Sequence, residues 1–216
     1  MKIVAITDIH GAYANVSGII KRESPDVVVI GGDLTTVGTI KEAEEAIGEI
    51  RPLVGDVFCV AGNMDLPAHD DLFVRLGVSI NARGIVTGDV GFFGVSAAPF
   101  SPLHTPYELP EEEIALRIRA GYDQVRSARV KIFVPHAPPY GTKVDIIHSG
   151  VHVGSTAVRD FIEDASPDVV ICGHIHEARG EDTIGRTKII NCGPASSGCY
   201  GLIIVSGNIS IAGKRC

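Results

Sequence analysis

Five apolar, largely β-branched runs mark this chain, and each leads into a short polar motif. Ile3-Val4-Ala5-Ile6-Thr7 precedes Asp8-Ile9-His10, Val27-Val28-Val29-Ile30 precedes Gly32-Asp33, and Val57-Phe58-Cys59-Val60 precedes Gly62-Asn63. Lys131-Ile132-Phe133-Val134 precedes His136, and Val169-Val170-Ile171-Cys172 precedes Gly173-His174-Ile175-His176. Runs without polar alternation fit strands buried on both faces, which occur in parallel sheets covered by helices. In layered α/β folds, ligands bind beyond the carboxyl ends of such strands. The pattern therefore predicts that all five motifs converge on one edge of an α/β fold.

The segments between the runs agree with that class. The first part alternates strand and helix, the signature of parallel strands with helices packed on them. Thr39-Ile40-Lys41-Glu42 has capping-box spacing, and Ala43, Ala46, Ile47 and Ile50 then form one apolar face. Residues 66–76 read as a short helix in which His69 is expected to be solvated, and residues 78–98 read as short strands broken by glycines. Glu111-Glu112-Glu113 follows Pro110 and precedes Ile114, Ile118, Tyr122 and Val125, which reads as the first turn of an amphipathic helix. A further helix over residues 155–165 turns Ala157, Val158, Phe161 and Ile162 inward. A strand over 188–192 and a hairpin turned at Ser206-Gly207-Asn208 close the chain. With 216 residues and no break in composition, one globular domain over residues 1–216 is expected.

Charge and cysteine content narrow the functional classes. A net charge of -7, from 26 acidic and 19 basic residues with no Lys/Arg-rich run, argues against electrostatic wrapping of nucleic acid. Five cysteines without CxxC spacing give no disulfide framework and fit a reducing cytoplasm. No apolar run approaches the roughly 20 residues of a spanning helix, and the opening core strand leaves no room for a signal peptide. A cytoplasmic protein with no membrane partner is expected.

Taken singly, Asp8, Asp33 or Asn63 could each be a helix N-cap or turn residue after a strand. His174 and His176 are harder to place in a core, because alternate residues past a buried strand point the same way. Two divalent ions about 3.5–4 Å apart need a bridging carboxylate and a mixed nitrogen and oxygen shell, and the five motifs supply both. In this order, from Asp8 to His176, the motifs resemble those of the calcineurin-like metallophosphoesterase superfamily. The resemblance implies a four-layer αββα sandwich and a phosphohydrolase with two divalent ions. It places Asp8, His10 and His176 on one metal and Asn63, His136 and His174 on the other, with Asp33 bridging; Asp33, Asn63 and His136 carry the catalytic centre. Four positive charges partly offset by Asp8 and Asp33 would leave the site positive and attract a phosphate anion. Manganese is the expected ion, with iron, zinc and nickel as alternatives that an imidazole and carboxylate shell also suits.

One departure from the superfamily stands out. Many relatives carry a histidine directly after the Gly-Asn pair, where it acts as general acid, whereas this chain reads Gly62-Asn63-Met64-Asp65. Methionine cannot donate a proton, and the role of Asp65, which would orient that histidine, is left open. Some small bacterial and archaeal members of the superfamily lack this histidine and still hydrolyse phosphodiesters. The reading is accordingly a metal-dependent phosphodiesterase acting on a small phosphodiester or nucleotide. Two alternatives stand beside it: a phosphomonoesterase using a loop histidine such as His152 as acid, and a non-catalytic, partner-binding scaffold on the same fold. Two irregular stretches are candidate site walls, the Pro-rich loop over 98–110 with His104 and Tyr107, and residues 137–152. In the second, His148 and His152 are candidate substrate residues, with His152 assigned to substrate binding.

Overall fold

A computed structural model describes all residues 1–216. In chain order its elements are β1 (Lys2–Ile6), α1 (Tyr13–Glu23), β2 (Val27–Gly31), α2 (Ile40–Ile50), β3 (Asp56–Val60), α3 (Ala68–Arg75), β4 (Gly84–Thr87), β5 (Val90–Val95) and the two-residue strands β6 (Ala98–Pro99) and β7 (Glu108–Leu109). There follow α4 (Glu111–Gln124), β8 (Val130–Pro135), α5 (Thr156–Ala165), β9 (Val169–Cys172), β10 (Gly180–Ile184), β11 (Thr187–Asn191), β12 (Cys199–Val205) and β13 (Ile209–Arg215). One sheet has the order β13-β12-β1-β2-β3 and the other β10-β11-β9-β8-β5-β4. Each has a parallel part, β1 to β3 in the first and β11, β9, β8 and β5 in the second; antiparallel strands flank it on one side in the first sheet and on both sides in the second.

Every apolar run that precedes a motif lies in one of the parallel parts. The period-2 alternation of side chains then sorts each run between two cores. From β1, Ile3 and Ala5 face the other sheet while Val4 and Ile6 face helices; from β9, Val169 and Ile171 face the other sheet while Val170 and Cys172 face helices. Three apolar layers result. One lies between the first sheet and α1, α2 and α3, one between the sheets, and one between the second sheet and α4 and α5. This is the αββα sandwich that the motif order implied.

Local signals place the helices as the sequence suggested. The Thr39 hydroxyl accepts from the Glu42 N–H at 3.1 Å and caps α2, whose buried residues are Ala43, Ala46, Ile47 and Ile50. The Ser155 hydroxyl accepts from the Val158 N–H at 3.1 Å and caps α5, which buries Ala157, Val158, Phe161 and Ile162. His69 departs from expectation: it is 0% exposed rather than solvated. It shares the inward face of α3 with Leu72 and Phe73 at i+3 and i+4, and its Nδ1 accepts from the Leu66 N–H at 2.9 Å. That spacing is the signature of a core-facing helix position.

Candidate metal centre

The seven residues expected to ligate sit just beyond the ends of five strands drawn from both sheets. Asp8 and His10 follow β1, Asp33 follows β2 and Asn63 follows β3, all in the first sheet. His136 follows β8, and His174 and His176 follow β9, in the second. Turning out of each strand directly into a ligand bends the backbone sharply. Asp8, His10, Asp33 and His174 all adopt positive φ, between 47° and 67°, a region that costs an L-residue roughly 1–2 kcal/mol. Such strain persists where surrounding structure over-determines it, and it clusters at functional sites.

The donor atoms converge. Asp33 Oδ2 lies 3.7 Å from His10 Nε2 and 3.6 Å from His136 Nε2, so this carboxylate stands between two groups of ligands. Asp8 Oδ1 is 3.4 Å from His176 Nε2. Asn63 Oδ1 lies 3.0 Å from His136 Nε2 and 2.8 Å from His174 Nδ1. Two trios, Asp8 with His10 and His176, and Asp8 with Asp33 and His136, each bring their ligand atoms within 4.8 Å of one another. His136 Nδ1 donates to the Gly31 carbonyl at 2.9 Å, which leaves Nε2 to face the oxygens of Asp33 and Asn63.

Burial governs the charge states. It pushes the Asp33 carboxyl up to about 7, opposed by the charge of His136 and reinforced by Asp8 and Asp65. It also raises Asp8, but the His176 hydrogen bond and the charges of His136 and His176 outweigh it and bring that group to about 2. Burial, with His136 second, pushes His174 down to about 3, so its imidazole is neutral and holds a free lone pair. The buried carboxylates of Asp8 and Asp33, convergent imidazole nitrogens and an amide oxygen form a donor set suited to borderline divalent cations. A pair of cations would satisfy these acceptors, so the residues present fit a dinuclear centre.

Several supporting residues are not legible as motifs. Asp65 is fully buried, and its carboxylate accepts from the N–H groups of Leu34 (3.1 Å), Thr35 (2.9 Å) and Gly62 (2.9 Å) and from the Thr35 hydroxyl (2.8 Å). It therefore joins the loop of Asp33 to the loop of Asn63, a role independent of any histidine at position 64. Thr36 Oγ1 lies 2.9 Å from His10 Nδ1, and the His174 N–H donates to Asp8 Oδ1 at 3.0 Å. The flanking glycines are also more specific than their sequence suggests. A Cβ on Gly62 would stand 2.1 Å from Asp33 Oδ1, one on Gly32 2.3 Å from His136 Nδ1, and one on Gly173 2.3 Å from Asp8 Oδ2.

Of the two candidate walls, the Pro-rich loop touches the centre through its backbone: the Tyr107 N–H donates to the Asn63 carbonyl at 3.0 Å. Tyr107 itself is buried, its hydroxyl 2.6 Å from Asp70, whereas His104 is exposed. His148 and His152 join none of the seven; His148 pairs with Glu177 and His152 with Asp145.

A family model described as calcineurin-like phosphoesterase matches residues 1–178, a span that contains all seven residues. An uncharacterized protein of Methanocaldococcus jannaschii is 35% identical over 204 residues, 93% of this chain and 91% of that one. Among solved structures, a protein of Thermus thermophilus superposes with a TM-score of 0.75 at 18% identity, covering 98% of this chain and 97% of that one. A dimetal phosphatase from Danio rerio superposes with a TM-score of 0.74 at 12% identity, covering 100% and 96%. At these identities the two structures establish the shared fold.

Proposed function

The chain belongs to the calcineurin-like phosphoesterase family, and from that premise we propose that it is a phosphodiesterase, active with two divalent ions, that hydrolyses a small phosphodiester or nucleotide. The observation that carries the reading is Asp33 Oδ2 lying 3.7 Å from His10 Nε2 and 3.6 Å from His136 Nε2, between the two groups of candidate ligands. In this assignment Asp8, His10 and His176 would hold one ion and Asn63, His136 and His174 the second, with Asp33 the residue that would be shared between them. When bound, the ions supply a nucleophilic hydroxide near neutral pH and offset the charge that builds on the phosphoryl oxygens.

The protein's own contribution is placement. His136 is oriented through Gly31, His10 through Thr36, and the loops of Asp33 and Asn63 through Asp65. A diester is proposed over a monoester because this chain has Met64 where many relatives carry a histidine after the Gly-Asn pair, and some small members of the family that lack that histidine hydrolyse diesters; any proton for the leaving group then has to come from elsewhere in the site. Manganese is the proposed ion. A reducing, cytoplasmic setting is supported by five free cysteines, of which only Cys216 is exposed. No helix is long and apolar enough to cross a membrane.

The test is metal analysis combined with a panel of diesters, monoesters and cyclic nucleotides assayed with Mn²⁺. Two equivalents of metal and faster turnover of diesters are expected. Faster turnover of monoesters would transfer the reading to a phosphomonoesterase, and a protein that binds no metal and turns over nothing would leave only the scaffold.

A further inference from the structure

The loop that follows His136 is built around one carboxylate. Asp145 is fully buried, and it accepts from the N–H groups of Gly141 (3.0 Å), Thr142 (2.8 Å) and Gly154 (3.1 Å), while the Thr142 hydroxyl donates to the Pro139 carbonyl at 2.9 Å. These donors alone would satisfy its oxygens and close the loop. Yet Asp145 Oδ1 also holds His152 Nδ1 at 2.7 Å. A carboxylate at Nδ1 fixes the hydrogen on that nitrogen and leaves Nε2 as the one that gains and loses a proton. The His152 side chain is 34% exposed, so the ring is held at Nδ1 and still reaches solvent.

The loop that carries this pair is anchored to the segments that carry candidate ligands. The Ser155 N–H donates to the Pro138 carbonyl at 2.8 Å, which brings the far end of the loop back to within two residues of His136. Asn191 Nδ2 donates to the Val144 carbonyl at 3.2 Å and to the Ile175 carbonyl at 2.9 Å. Val144 precedes Asp145, and Ile175 separates His174 from His176. His148 Nδ1 is 2.9 Å from Glu177, the neighbour of His176. The loop is thus tied to the strand ends that carry His136, His174 and His176. Met64, on the opposite sheet, has no proton to give.

We infer that His152 is the catalytic proton donor to the leaving-group oxygen and that Asp145 is the residue that positions it; the inference rests on the phosphodiesterase reading above. In the step, the oxygen of a water-derived hydroxide forms the new bond to phosphorus. The bond from phosphorus to the leaving oxygen breaks, and its electron pair stays on that oxygen, which takes the proton from His152 Nε2. The neutral imidazole keeps its Nδ1 hydrogen on Asp145 and regains a proton at Nε2 from solvent.

The experiment compares kcat/KM of the Mn²⁺-loaded native protein, His152→Gln and Asp145→Asn on aryl methyl phosphodiesters, from 2,4-dinitrophenyl to phenyl leaving groups. General acid assistance is worth about 10²–10⁴-fold, and a leaving group that departs readily as an anion does not need it. His152→Gln should therefore lose about 10²-fold or more on the phenyl ester and little on the dinitrophenyl ester. Asp145→Asn should follow the same trend with a smaller loss. Added imidazole should restore turnover of the phenyl ester by His152→Ala. An equal loss across the series, or none, overturns the assignment and makes the pair a structural stitch. A native protein that turns over neither these diesters nor aryl phosphate monoesters overturns the phosphoesterase reading itself, and the proton donor with it.

Discussion

At Gly62 and Gly173 one methyl group decides whether the centre can assemble, because each Cα sits against a carboxylate proposed to ligate. Gly62→Ala and Gly173→Ala are therefore expected to weaken Mn²⁺ binding by on the order of tenfold or more, as changes to groups that orient ligands do, although neither glycine donates an atom. Isothermal titration reads this directly. Gly48→Ala is the control: it lies within α2 with nothing within 4 Å of the added carbon, so it should stabilise the protein by roughly 0.5–1 kcal/mol and leave binding unchanged. Asp33 carries a second expectation. Its carboxyl is held up at about 7 in the metal-free protein, and ligation requires the ionised form, so metal uptake must expel a proton below that pH. His176, held above its ordinary value chiefly by its hydrogen bond to Asp8, must shed a proton as well, so affinity for Mn²⁺ should fall by more than tenfold for each pH unit below about 7. His174, already neutral above about 3, adds no dependence in that window. Binding titrations at pH 5, 6 and 7 check this, and a flat profile would mean that Asp33 is already ionised before the metal arrives. The candidate donors could be singled out in the sequence because their chemistry travels with residue type. The glycines' partners could not, since Asp33 and Asp8 reach them from other strands.

Among the elements, α5 depends on α4 for its start. Glu111, the first residue of α4, accepts from the Ser155 hydroxyl at 2.6 Å and from the Thr156 and Ala157 N–H groups at 2.9 and 3.1 Å, so one carboxylate occupies the N-terminus of the neighbouring helix. Negative charge is favourable there, and the first N–H groups of a helix otherwise lack partners. Glu111→Ala should lower the unfolding free energy by about 1–2 kcal/mol, measured by urea denaturation, whereas Glu112→Ala, at an exposed neighbouring position, should stay within about 0.5 kcal/mol. The acidic triplet was readable as the first turn of a helix from its place after Pro110. That one of the three serves a different helix follows only from the packing of α4 on α5 across the same face of the second sheet.

For the molecule as a whole, the centre straddles two sheets and belongs to neither. Its ligands keep their spacing only while the layer between the sheets holds them together. Ile171, fully buried in that layer one residue before the end of β9, should cost about 2–5 kcal/mol of stability when cut to alanine. Metal binding should act in the opposite direction. Mn²⁺ at about 100 times its dissociation constant should stabilise the native fold by about 2.7 kcal/mol, seen as a rise in Tm that Asp33→Asn largely abolishes; an equal rise in that variant would remove Asp33 from the bridge. By itself the sequence determined the order and burial of the strands, the main helices and the Thr39 cap, and the residue types and order of the candidate ligands. Each of these follows from side-chain period, residue type and backbone geometry within a few residues. The tertiary structure decided the rest: which sheet each strand joins, what Asp65 ties together and what Asp145 holds. Those answers rest on contacts between distant segments, such as the His174 N–H on Asp8, 166 residues away, and no local pattern encodes which surfaces meet when two sheets pack face to face.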